Sequence, residues 1–151
     1  METNKEKELE VLKTLVEYNN DRVEGYQKAS EEIEHTDLKQ LFNKFSAQSR
    51  TFSSELNSRI VQHGSVPVEG TTNSGKVFRA WMDVKAALTG KNRKAILGSC
   101  EFGEDVALKS YEEAMQANGL SNETQKLVNE QSRHIRSAHD EIKNLRDVSV
   151  F

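Results

Sequence analysis

Apolar residues recur along this chain at alternating steps of four and three, the spacing of one face of a helix. In the first segment the stripe is Leu12, Val16, Asn19, Val23, Tyr26, Ser30 and Ile33, and it predicts a helix from about Lys5 to Ile33. A second stripe, Leu38, Phe42, Phe45, Ser49, Phe52, Leu56 and Ile60, follows after only three residues. Asp37 reads as its N-cap with Gln40 completing a capping box, and Gly64 stops it just after His63. So short a connection predicts an antiparallel hairpin. Next comes "GSVPVEGTTNSG", which holds the only proline and reads as a loop. Val77, Trp81, Val84 and Leu88 then mark a short helix that breaks at Thr89-Gly90. Asn92 caps a third long helix, Arg93 to Ala117, whose stripe includes Leu97, Leu108, Tyr111 and Met115. Asn118-Gly119 closes that helix. Ser121 caps a fourth, with a stripe of Leu127 or Val128, Gln131, Ile135, Ala138, Ile142 and Leu145.

The connections are unequal. Helices one and two are joined tightly, as are three and four, while almost thirty residues separate the pairs. A linker of that length can run the height of a bundle and leave helices two and three parallel. The expectation is an all-α, ferritin-like up-down four-helix bundle, with a long crossover containing a short helix between helices two and three. A five-helix bundle is the alternative. Residues 1–151 are expected to form a single domain.

Composition narrows the function classes. A formal charge of −3, with cations and anions interspersed, gives no footprint for nucleic acid or an anionic membrane. The string "GKNRK" is too short to change that. No apolar run could span a bilayer, and "METNKEKELEVLKTL" has no signal-peptide core. A single cysteine, Cys100, forms no internal disulfide and fits a cytoplasmic setting. No phosphate loop, paired-cysteine zinc spacing or nucleophile elbow is present.

Candidate chemistry lies on the inward faces. Glu104 falls near the middle of the third helix's apolar face, with Glu101 on its edge. A buried carboxylate needs a metal, a cation, a hydrogen-bond partner or a proton. On the fourth helix Gln131 is central and His134 follows three residues later. A ferritin-like di-iron centre takes one Glu from each of two helices and a Glu-x-x-His from each of the other two. Helix two offers Ser49 and Phe52 instead, and helix one offers Asn19, with Glu24 off the stripe. Three readings follow. In the first, Asn19, Ser49, Glu104 and Gln131, with Tyr26 or Tyr111, form a buried polar layer without a cofactor. In the second, Glu101, Glu104 and His134 hold iron or another divalent ion. The third adds Glu24 to restore a di-iron centre. Without a metal, Glu104→Gln should be tolerated or stabilising. His139 beside Asp140 reads as a flank residue. His35 and His63 read as surface residues, Cys100 as a buried thiol, and Trp81 as the anchor of the crossover helix.

The strings "FRAWMDVKAALTGKNRKAILGSCEFGEDVALKSYEEA", "QSRHIRSAHDEIKNLRD" and "DRVEGYQKASEEI" carry a resemblance. The chain resembles a bacterial family of ferritin-like four-helix-bundle proteins, a domain of unknown function. The resemblance implies a ferritin-like fold, a bacterial cytosolic setting and a stress association, and it supplies no reaction. It also keeps Glu24 and His139 as secondary metal candidates, because they stand with Glu101 and Glu104 at the family's recognisable positions. The resulting expectation is a stress-associated structural or interaction protein with a degenerate metal centre, leaning away from an enzyme. It could form a homodimer, and its protein partner is unknown. The alternative is a metal-binding protein acting in storage, peroxide handling or oxidation.

Overall fold

A computed structural model describes residues 3–72, 75–90 and 92–149, with the backbone alone at 75–78 and 87–90. Five helices, and no strand, occupy these residues: α1 (Asn4–Glu32), α2 (Thr36–Gln62), α3 (Gly75–Gly90), α4 (Arg93–Gln116) and α5 (Asn122–Val148). The expected helices are all present, within a residue or two at most ends. Asn73, Ser74 and Lys91 lie outside the described residues, and Val77 and Leu88 outside the described side chains.

Capping explains most of the boundaries. Thr3 and Glu6 form a capping box at the start of α1, while Asn92 and Ser121 accept backbone N–H groups at the starts of α4 and α5. Gly64 and Gly119 take φ values of 82° and 89°, which end the helices before them at little steric cost. Asp37 is a correction. The N-cap of α2 is His35, which makes no side-chain capping bond, so Asp37 and Gln40 form no capping box. Asp37 instead accepts two hydrogen bonds from Arg93 at 3.0 and 2.6 Å. That bidentate pair ties the start of α2 to the start of α4 and holds the Asp37 carboxyl below its usual range.

Side-chain contacts fix the helix directions. Asn20 and Val23 of α1 meet Ser53 and then Ser46 of α2, so the two run antiparallel. Asn19 and Arg22 meet Tyr111 and then Glu104, so α1 also opposes α4. Tyr111 and Glu101 of α4 meet Gln131 and then Arg146 of α5, and Phe52 and Arg59 of α2 meet Gln131 and then Thr124. Both α2 and α4 therefore oppose α1 and α5, and run parallel to one another. The crossover makes this possible. It is stapled to the hairpin by Asn57, which bonds both the N–H and the C=O of Val68, by Asn20 on the Gly70 carbonyl, and by Asp21 on Thr72.

The interior divides into two apolar clusters. One gathers Leu12, Val16, Leu56, Tyr111, Val128 and Ile135 among others, and the second gathers Tyr26, Phe42, Phe45, Leu97, Cys100 and Ile142. Of the two alternatives on α5, Val128 is fully buried and Leu127 only partly. On α4 the expected Met115 is 38% exposed and Ala114 takes the inward position. Trp81 of α3 lies edge-on to Tyr26 with ring centroids 5.2 Å apart, and anchors α3 on the bundle. No helix of the described residues is long and apolar enough to cross a membrane.

Candidate functional site

Between the two apolar clusters lies a layer of buried polar side chains. Asn19, Arg22, Ser49, Glu104 and Gln131 all sit below 3% exposure, so each must find partners inside the protein. At one end of the layer the Tyr111 hydroxyl accepts from Asn19 Nδ2 and donates to Gln131 Oε1, both at 2.7 Å. Ser49 donates to Asn19 Oδ1 at 2.9 Å, while Gln131 donates to Glu55 at 3.2 Å. At the other end Glu104 receives Arg22 Nε at 2.9 and 3.2 Å and the Tyr26 hydroxyl at 2.5 Å. The two ends meet at Arg22, whose Nη1 donates to Ser49 at 2.7 Å and Gln48 at 2.9 Å. Its guanidinium carbon also lies 5.4 Å from the centre of the Tyr26 ring and 5.3 Å from that of Phe45. Within this layer, Arg22 Nη2 is the one buried side-chain atom without a hydrogen-bond partner among the described residues.

Electrostatics follow from this burial. The Tyr26 hydroxyl is pushed far above its ordinary range by burial and by the Glu104 charge, so it stays a hydrogen-bond donor. Burial does the same to Tyr111. Burial and Glu104 raise Cys100, leaving an inert thiol. The layer thus sets a fixed cation and a phenol against the Glu104 carboxylate.

Arg22 is the residue that pattern reading missed. It stands three residues after Asn19 and four before Tyr26, at helical spacing on the same inward face, so the signal was there. Glu8 was also missed. It is 2% exposed, accepts the Ser121 N–H at 2.5 Å and faces His63, which is therefore half-buried and paired rather than a free surface residue. Burial pulls the Glu8 carboxyl upward, but its hydrogen bonds from Ser121 and the His63 charge outweigh that and leave it lowered.

Of the expected metal ligands, Glu101 and His139 come together, while Glu104, His134 and Glu24 do not join them. Glu104 is engaged by Arg22 and Tyr26. His134 is exposed, with its ring 6.0 Å from that of Phe52. Glu24 is exposed on the wall of a cleft between α1 and α3. Glu101 lies on the α4 flank with His139 and Asp105, and its second oxygen is bound by Arg146. Among the described residues, Glu101, Asp105 and His139 are the only His, Cys, Asp or Glu side chains gathered closely enough to share an ion.

Residues 7–117 match the family described as Domain of unknown function (DUF2383). The chain belongs to that family. The DUF2383 match takes in α1 to α4 and therefore Arg22, Ser49 and Glu104, whereas Gln131 and His139 lie beyond it on α5. None of the curated proteins matches the chain.

Proposed function

We propose that this DUF2383 protein is a non-catalytic structural or interaction protein, built as a ferritin-like four-helix bundle whose interior centre carries a guanidinium where a metal would otherwise stand. The observation that carries the reading is the Arg22–Glu104 pair, with 2% and 1% exposure of the two side chains. A metal and an arginine would compete for the same carboxylate, and the arginine is covalently present. The parallel placement of α2 and α4 supports the ferritin-like topology. A bacterial, cytoplasmic and stress-associated setting belongs to the same proposal through the family resemblance. So does a homodimer, which sedimentation would detect.

The test is oxidation of iron(II) in air by the purified protein, with metal analysis of material prepared without chelators. The rate should equal that of buffer, and Glu104→Ala should change neither the rate nor the metal content. Acceleration, or a bound ion, that disappears in Glu104→Ala would overturn the proposal in favour of the metal-binding alternative built on Glu101, Glu104 and His134.

A further inference from the structure

Glu101 and Asp105 stand one turn apart on α4, and His139 faces both from α5. His139 Nε2 lies 2.8 Å from Asp105 Oδ1 and 3.7 Å from Glu101 Oε1. Its other ring nitrogen, Nδ1, lies 3.1 Å from Asp140 Oδ1. Carboxylate oxygens therefore face both nitrogens, the surroundings of an imidazole that can ligate an ion through one nitrogen and be held by a carboxylate through the other. Arg146 is shared between Glu101 and Asp147.

We infer that this flank is a binding site for a divalent transition-metal ion, with Glu101 Oε1, Asp105 Oδ1 and His139 Nε2 as its ligands. The inference goes beyond the structural role proposed above and uses none of the residues of the buried layer. The three ligand atoms lie within 4.8 Å of one another. Ligands about 2.1 Å from a tetrahedral zinc ion stand about 3.4 Å apart, so Glu101 and His139 already fit. Asp105, at 56% exposure, would need to swing outward from His139 by about half an ångström to join them. The surroundings orient each ligand. With an ion on Nε2, Asp140 Oδ1 would accept the N–H on Nδ1 across 3.1 Å, the arrangement in which a carboxylate steers a metal-bound histidine. Arg146 occupies the far oxygen of Glu101 and leaves Oε1 for the ion. An imidazole with two carboxylates suits zinc, manganese or iron(II), whereas calcium and magnesium prefer oxygen alone. Remaining coordination positions face solvent and would be filled by water.

Calorimetric titration of the whole protein with Zn2+ at neutral pH is the test, with the visible spectrum of added Co2+ as a second readout. One Zn2+ should bind per chain, about tenfold or more weakly in Asp105→Asn and His139→Gln. His134→Gln should bind as the wild type does. Because Asp105 is exposed, its substitution leaves the fold intact, and circular dichroism verifies this. No saturable binding would overturn the inference. Equal affinity in both flank variants would also overturn it. Loss of binding in Glu104→Ala with Asp105→Asn unaffected would place the ion in the bundle interior, and so sink the structural proposal too.

Discussion

Substituting Glu104 by glutamine keeps the side chain's shape and removes its charge, which sounds harmless until Arg22 is considered. The amide still accepts from Tyr26, but the guanidinium is left buried without a counter-charge. Breaking one side of a buried ion pair costs about 3–5 kcal/mol, more than relief of the carboxylate's own desolvation returns. Glu104→Gln should therefore be strongly destabilising in urea titrations, which reverses the expectation of tolerance drawn from the sequence. Arg22→Met combined with Glu104→Gln removes both charges and should recover much of the loss. If the two substitutions were simply additive, the pair would not be coupled as the geometry implies. Asp21 makes a second prediction at this scale. Burial raises its carboxyl from 3.8 to about 6, against the hydrogen bonds from Thr72. A folded-state value above the unfolded one means that the folded chain holds the proton more tightly. Its stabilising contribution is thus fully present below about pH 4 and lost as the pH climbs through about 6. Asp21→Asn keeps an acceptor for Thr72 and should remove that loss. Thermal melts between about pH 4 and 7 should show the variant gaining on the wild type as pH rises, and parallel curves would refute the assignment.

The crossover helix depends on two glycines that face one indole. A Cβ built on Gly25 of α1 would come within 2.3 Å of the Trp81 ring, whereas one on Gly103 of α4 would lie 3.6 Å from it. Glycine in a helix interior costs up to about 1 kcal/mol relative to alanine, so either substitution gains that much in propensity. At Gly103 nothing opposes the gain, and Gly103→Ala should be neutral or stabilising by up to about 1 kcal/mol. At Gly25 the overlap with a rigid ring wins, because overpacking of this kind costs about 1–3 kcal/mol and the indole has no flexible end to move. Gly25→Ala should lower the melting temperature and displace Trp81, visible as a shift in its fluorescence. Gly25→Ala/Trp81→Leu should restore part of the stability. Equal behaviour of the two glycines would mean that the indole does not sit between α1 and α4 as described.

At the scale of the whole molecule, the matched family segment ends at residue 117, one helix short of the completed core. On α5, Val128 and Ile135 belong to one apolar cluster and Ala138 and Ile142 to the other, while Gln131, between Val128 and Ile135, joins the polar layer. A chain ending at residue 117 would expose both clusters and leave the Tyr111 hydroxyl without its acceptor. It should lose its cooperative melting transition and bind a hydrophobic dye. A sharp transition in that fragment would show α5 to be dispensable. The sequence alone determined the helices, their caps at Asn92 and Ser121, the stop at Gly64 and the membership of Asn19, Ser49 and Gln131 on inward faces. These follow from periodicity and local backbone chemistry, which a linear reading can count. Only the tertiary structure decided the partners. A cation on α1 is attractive to a carboxylate on α4 only once packing has brought them within 3 Å, and dried the space between them. Arg22 could be placed on its stripe but not on Glu104, and Asp37 could be read as a cap until Arg93 stood opposite it. His139 showed no stronger claim than His134 until α5 had turned it toward Glu101 and Asp105. Long-range pairing is set by how helices dock and rotate against each other, and spacing along one helix carries no record of that.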